Sequence, residues 1–434
     1  MKPFTVYAGF TESWTATLDL NMSKLYLSEN GNIVPTLCDE VTTYRRARKI
    51  LHLPATRTPA SLFILARRHE GVERPLRLSV NGVELRSIQP ASQGGYCWYE
   101  VQVIPPHLKA GANTFEFWTD ATAMNAWSLA IEPGHANPES FISDNGGVQW
   151  RNNKMGYLNV LRGEYVVRVR LNEDEDPLPP SVVCEELSNP RLEDLRRIVP
   201  VEARNSRPLL DRVRALSSWL STSWEHTDAV KAVQYTPWDA ETILSWGKSG
   251  VGHHGQRPIV MCVHYGVAFV TLCHAVGIQS RAVALAGTVN GDDGHFVAEV
   301  WLPEYEKWVM VDPNLDAMMW KDGAPLSVAQ IQKLDADLRN FIRWGPGLDF
   351  QSRNAALTAF IERNYSKGRC FKHSGVWLRT DFLSHPEHAP SAHGSTAYCE
   401  TEFVWAKEDL ASGFGMFPYF ASPDYFAAPP LTGR

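Results

Sequence analysis

The sequence predicts a multidomain chain: an all-β sandwich of jelly-roll type over residues 1–171, then an α+β domain over 191–434. Three observations predict it. Up to Leu171, short runs of alternating apolar and polar residues recur between turn formers, as in ARKILHLP, SLFILARR and NTFEFWT, which is the signature of strands with one buried face. Residues 172–190 (NEDEDPLPPSVVCEELSNP) are rich in acids and prolines and read as a linker. Beyond Pro190 the apolar spacing changes to helical, and later a cysteine heads an apolar run of helical length.

The strand runs follow in order: TVYAGF, ATLDLN, ARKILHLP, SLFILARR, LRLSVNGVEL, YCWYEVQVI, NTFEFWT, WSLAIEP and YVVRVRL. Asn81-Gly82, between two of them, predicts a type I′ hairpin, because both central residues of that turn need positive φ. Many short strands with no helical pattern between them imply a sandwich or jelly roll. In the second part, Leu192, Leu195 and Ile198 fall on one helical face, and Leu209, Val213, Leu216 and Leu220 on another. Further helices are expected at about 239–246, 327–344 and 355–365. The runs RAVAL, GHFVAEVW and KWVMV read as strands, as do SGVWLRTDF and AYCETEFVW near the end.

With 434 residues, 44% hydrophobic and 21% charged, the chain can bury sizeable cores. A formal net charge of -6 and the lack of a long basic run argue against nucleic acid and anionic membranes as partners. No apolar stretch approaches the roughly 18 residues of a membrane span. Seven cysteines, an odd number without metal-ligand spacing, predict reduced thiols, no metal and no cofactor. A cytoplasmic location follows from the thiols, unless a signal peptide has been removed. The sequence does not disclose an oligomeric state.

Cys262, His295 and Asp312 are the candidate catalytic residues. Gly277 is a natural C′ residue for the apolar run that begins at Cys262. Cys262 then falls in the first helical turn, where free N–H groups and the helix dipole favour a thiolate. His295 begins a strand and suits a general base. Asp312, before Pro313, can orient the imidazole.

These segments resemble the transglutaminase-like superfamily, part of the wider papain-like group of thiol enzymes. The resemblance rests on the order Cys262, His295, Asp312, on GIQSRAVAL with Arg281, and on Glu299 four residues after His295. It implies a Cys-His-Asp triad that opens an amide or peptide-like bond through a thioester, resolved by water or by an amine. Hydrolysis is the commoner outcome for bacterial relatives. The approach to the thiol departs from the family, with Val260-Met261 where glycine is usual and His264 two residues after the cysteine. Gln256, six residues before Cys262, matches the offset of a papain-like oxyanion glutamine; Trp238 and Trp246 are alternatives. His253, His254 and His264 could shape a polar pocket. LSVNGVEL and WYEVQVIPPHLKAGANTFEFW resemble galactose-binding-like jelly rolls, through Asn81, Gly82, Pro105, Leu108, Gly111 and Asn113. That adds glycoconjugates to the peptide or amide substrates. It also opens a carboxylate-based glycan cleavage by Asp292, Asp293, Glu299 and Asp312. A third possibility is a non-catalytic binding protein.

Overall fold

The computed structural model describes residues 25–29, 37–89, 95–124, 126–156, 158–171, 182–228, 230–287, 294–334, 337–386, 403–406, 419–421 and 423–430. The expected strands at 5–10 and 16–21, residues 172–181 of the expected linker, and Asp292 and Asp293 lie outside them. The chain forms two compact units: among the described residues the first takes 25–171 and Tyr419, and the second takes the rest.

The first unit is β-rich. Its strands are β1 (Leu25–Tyr26), β2 (Cys38–Val41), β3 (Arg46–Leu53), β4 (Ala60–Arg68), β5 (Leu76–Val80), β6 (Val83–Glu84), β7 (Gly95–Val103), β8 (Gly111–Thr119), β9 (Trp127–Pro133), β10 (Ser140–Ser143), β11 (Gly163–Tyr165) and β12 (Val167–Leu171). They make two antiparallel sheets. One runs β1-β12-β4-β9-β11, with β2 also on β9 and β7 on β4; the other runs β10-β3-β8-β5-β6. Side chains of both sheets meet in one core, with Leu62, Ile64 and Leu129 from the first and Leu51, Leu78 and Phe117 from the second. The alternation in β3 is literal: its residues are half-buried and buried in strict turn.

Asn81 and Gly82 both have positive φ, and Val80 pairs with Val83 across them, as a type I′ hairpin requires. The Asn81 side chain also reaches sideways. It accepts from the Thr114 N–H at 3.0 Å and donates to Asn113 Oδ1 at 2.9 Å, which ties the turn to β8. Cys38–Val41 and Ser140–Ser143 are strands that the alternation did not announce, because they are short and, but for half-buried Phe141, buried throughout.

The second unit is α+β. α1 (Pro190–Ile198), α2 (Val201–Asn205), α3 (Leu209–Ser221) and α4 (Ala240–Ser249) lead to α5 (Cys262–Ala275). Short β13 (Gln234–Tyr235) and β14 (Pro258–Ile259) pair in parallel before it. Then come β15 (Ser280–Ala286), β16 (His295–Leu302), β17 (Lys307–Val311), β18 (Ala317–Lys321), β19 (Ala324–Pro325), α6 (Val328–Gln332), β20 (Ile342–Trp344), α7 (Gly347–Gln351), α8 (Ala355–Phe360), β21 (His373–Trp377), β22 (Phe403–Ala406) and β23 (Tyr419–Ala421). A sheet ordered β17-β16-β15-β21-β22-β23 carries the unit. After the cysteine, α5 is buried along its whole length.

Four details differ from the sequence-based expectation. The helix expected at 327–344 stops after α6. Ser327 and Gln330 start it with reciprocal capping bonds, but 342–344 pairs with β18 instead. Ile198 is about half exposed, and Val199 takes the buried position. Leu209 is only half-buried, and Leu210 fills the core in its place. Residues 182–189 of the expected linker are built into the second unit. The Val183 N–H donates to the Leu378 carbonyl at 2.7 Å, and the buried Glu185 carboxylate takes the N–H groups of Leu383 and Ser384.

Candidate active site

Cys262 is the first residue of α5. Its N–H belongs to the set that a helix start leaves without an intrahelical acceptor. Met261 precedes it in an extended conformation. The Met261 N–H donates to His264 Nδ1 at 3.1 Å, while His264 Nε2 lies 2.8 Å from the Thr236 carbonyl oxygen. His264 is thus a buried side-chain cap that fixes where the helix begins. Gly277, with φ of 72°, ends the helix; the Ile278 N–H returns to the Cys273 carbonyl at 2.8 Å. Gly266 sets the depth of α5 on the sheet, since a Cβ there would meet Phe296 Cδ1 at 2.7 Å.

His295 opens β16, and Asp312 follows the last residue of β17, which pairs antiparallel with β16. The two side chains meet: His295 Nε2 lies 2.7 Å from Asp312 Oδ2. The other carboxylate oxygen takes the N–H groups of Asn314 and Leu315, each at 3.0 Å. Asp312 is fully buried, and its carboxylate takes three donors. With Nε2 turned to Asp312, the Nδ1 side of the ring is left for a thiol, and Cys262 is the thiol that acts on this imidazole. Burial works against the imidazolium, but the Asp312 carboxylate and then Cys262 outweigh it and push the His295 pKa up to about 10. Phe360 and Tyr365 wall the ring, with centroids at 5.2 and 5.5 Å. A thiol at a helix start, beside an imidazole held by a buried carboxylate, can form a thiolate–imidazolium pair.

The remaining candidates differ in what holds them. Trp238 is fully buried among Phe296, Trp377 and Phe382, and its N–H donates to Tyr235 Oη at 2.7 Å. Glu299 is buried against Arg281, 2.6 Å away, and its second oxygen accepts the Val328 N–H at 2.8 Å. Arg281 also lies over the Trp308 ring. These two charges brace the sheet. Gln256, His253 and His254 lie exposed on the loop before α5, and Trp246 is half-buried on α4. Among the described residues no group of three or more His, Cys, Asp or Glu side chains is placed to hold a metal ion. Nor is any helix among them long and apolar enough to cross a membrane.

Three neighbours of the triad were not singled out in the sequence. His226 Nδ1 lies 2.8 Å from Asn314 Oδ1. Burial, with the nearby His295 charge, lowers the His226 pKa to about 4, so this ring is neutral. Tyr365 is fully buried beside Asp312; burial first and that charge next keep its phenol protonated. It ends a π-helical turn, Ile361–Tyr365, a local irregularity common at functional sites. Only Asn314, two residues after Asp312, had a positional hint in the sequence.

Residues 200–313 match the model of the transglutaminase-like superfamily. No curated protein matches the chain. Among solved structures, a Cytophaga hutchinsonii protein provisionally described as a cysteine protease is similar at 12% identity. That match covers 64% of this chain and 76% of the other, with a TM-score of 0.23. Red sea bream transglutaminase is similar at 11% identity over 69% of this chain and 54% of its own, with a TM-score of 0.20. A family 35 carbohydrate binding module from an environmental isolate is similar at 10% identity over 27% of this chain and 94% of its own, with a TM-score of 0.17. The segment matched by the transglutaminase-like superfamily model, 200–313, runs from α2 past Cys262 and His295 to Asp312.

Proposed function

We propose that the chain is a thiol-dependent hydrolase of an amide or peptide-like bond, working through Cys262, His295 and Asp312. The observation that carries this reading is the 2.7 Å contact of His295 Nε2 with the buried Asp312, with Cys262 at the start of α5 as the thiol that acts on the same imidazole. In the reaction, His295 holds the thiol proton and the Cys262 sulfur attacks the carbonyl carbon. The Cys262 N–H, at the positive end of α5, stabilises the oxyanion. His295 then gives its proton to the leaving amine, and a thioester remains. Water attacks the thioester with His295 as base, which regenerates the thiol. An amine in place of water would make the same enzyme an acyltransferase, because the first half-reaction is shared.

A carboxylate mechanism on glycans fits less well. Glu299 and Asp312 are buried and all their oxygens accept hydrogen bonds from the chain, so neither is free to act as acid or base on a glycosidic bond. For the first unit, two antiparallel sheets closing on one core support a galactose-binding-like jelly roll, and with it a glycoconjugate substrate.

The test is hydrolysis of a peptide and glycopeptide amide panel by the full chain. Activity should be abolished by iodoacetamide and fall by at least about 10³-fold in Cys262→Ala. Undiminished turnover in that variant would overturn the assignment.

A further inference from the structure

We propose that Cys184 and His274 form a second thiol–imidazole pair, a covalent modification site for hydroperoxides and other soft electrophiles. It lies at the opposite end of α5 from Cys262, roughly 18 Å away at 1.5 Å per residue. It therefore stands apart from the triad and does not depend on the function proposed for it.

The geometry begins with the backbone. The Val183 N–H donates to the Leu378 carbonyl at 2.7 Å, and the Thr380 N–H donates to the Val183 carbonyl at 2.9 Å. On the other side of Cys184, Glu185 accepts from Ser384 Oγ at 2.7 Å and from the N–H groups of Leu383 and Ser384. Cys184 is thus pinned between two anchored neighbours, yet the residue is exposed. His274 sits in the last turn of α5 and is 7% exposed. Its Nε2 donates to the Ser280 carbonyl, 3.1 Å away, which leaves the lone pair on Nδ1. That Nδ1 is buried and has no hydrogen-bond partner, and Cys184 is the thiol that acts on this imidazole.

The charges agree with this arrangement. A helix C-terminus favours an imidazolium. Crowding of the sulfur and the Asp381 carboxylate oppose a thiolate, but His274, helped by Thr380, holds the Cys184 thiol below its ordinary value. Cys184 and Glu185 in turn hold His274 above its own, against burial. Cys273, one residue before His274, shows the contrast: it is fully buried, and burial pushes its thiol up.

With a hydroperoxide, the Cys184 sulfur attacks the terminal peroxide oxygen. A sulfur–oxygen bond forms and the oxygen–oxygen bond breaks. The His274 proton passes to the leaving oxygen, which departs as alcohol or water. Sulfur gives up two electrons and becomes a sulfenic acid, while the peroxide is reduced.

The experiment uses the full chain carrying Cys262→Ala, so that the triad thiol does not compete. Iodoacetamide labelling of Cys184 at neutral pH is followed by peptide mass spectrometry, with and without His274→Gln. The expected result is labelling at least about threefold slower without the imidazole. Hydrogen peroxide should also produce a dimedone-trapped sulfenic acid at Cys184. Equal labelling rates, or no trapped adduct, would overturn the proposal. If His274→Gln does not fold, the pH dependence of labelling in the Cys262→Ala chain decides. A midpoint below the ordinary thiol value of about 8.5 supports the pair, and a midpoint at or above it refutes it.

Discussion

Asp312 is the residue on which the proposed chemistry turns, since three donors converge on its carboxylate beside His295 in the interior. Asp312→Asn should keep the shape but lose that charge, and kcat should fall by about 10³- to 10⁴-fold. The sign of the pH dependence follows from the same contact. A histidine whose folded pKa is raised from 6.5 to about 10 contributes stability fully below 6.5 and loses it as pH rises through about 10. In wild type the alkaline limb of kcat/KM should therefore lie near 10, and in Asp312→Asn it should move down; an NMR titration of His295 checks both. The oxyanion donor is the second residue-scale question. Trp238 is removed from contention by its bond to Tyr235, which leaves Gln256 and Trp246. Comparing Gln256→Ala with Trp246→Phe should show a kcat loss of about 10²-fold in one of them at unchanged melting temperature. Cys262, His295 and Asp312 were legible in the sequence because chain order and flanking residues are one-dimensional information. His264 and Glu299 looked equally reactive there. Their partners, Met261 and Thr236 for one and Arg281 and Val328 for the other, became visible only after folding.

Two elements carry the site, and their spacing is set by a glycine. Gly266 lets α5 approach β16 at Phe296, which fixes the height of Cys262 against His295. Gly266→Ala should destabilise the second unit by about 1–3 kcal/mol by overpacking. It should also lower kcat more than the melting shift explains, as calorimetry and single-turnover kinetics would show. The beginning and end of α5 were readable, because a Cys-headed apolar run and Gly277 are local signals. Residues 327–344 were misread for a matching reason. The Ser327–Gln330 cap announces a helix, but the later residues are claimed by β18 and by the Phe341 carbonyl, which accepts the Trp320 N–H at 2.7 Å. Propensity decided the start, and tertiary pairing decided the rest.

At the scale of the whole molecule, the first unit owes part of its stability to charges inside its β-rich structure. Lys49 and Glu164 are buried and 2.5 Å apart. Burial alone would raise the Glu164 pKa, but Lys49 and then Ser140 outweigh it and hold it below 4.5. A depressed carboxylate contributes stability above its unfolded value, which is lost as pH falls through the folded one. The first unit should thus weaken below about pH 4.5, while Glu164→Gln should lose about 3–5 kcal/mol at neutral pH. Calorimetry of the full chain checks both, because the two units can melt separately.

The sequence by itself determined the change from β-rich to α+β organisation, the Asn81-Gly82 hairpin, the helix led by Cys262 and the order of the three candidate residues. Each is a local pattern of spacing or backbone preference, and local patterns survive without knowledge of distant partners. Only the tertiary structure decided which polar residues face chemistry and which are braces. It set His295 against Asp312 across two strands, committed His264, Trp238 and Glu299 to buried bonds, and brought Cys184 to His274. The physical reason is that a polar side chain is defined by what satisfies it when water is removed. In this chain the satisfying partner is often far away in sequence: 17 residues for His295, 28 for His264 and 90 in the Cys184 pair.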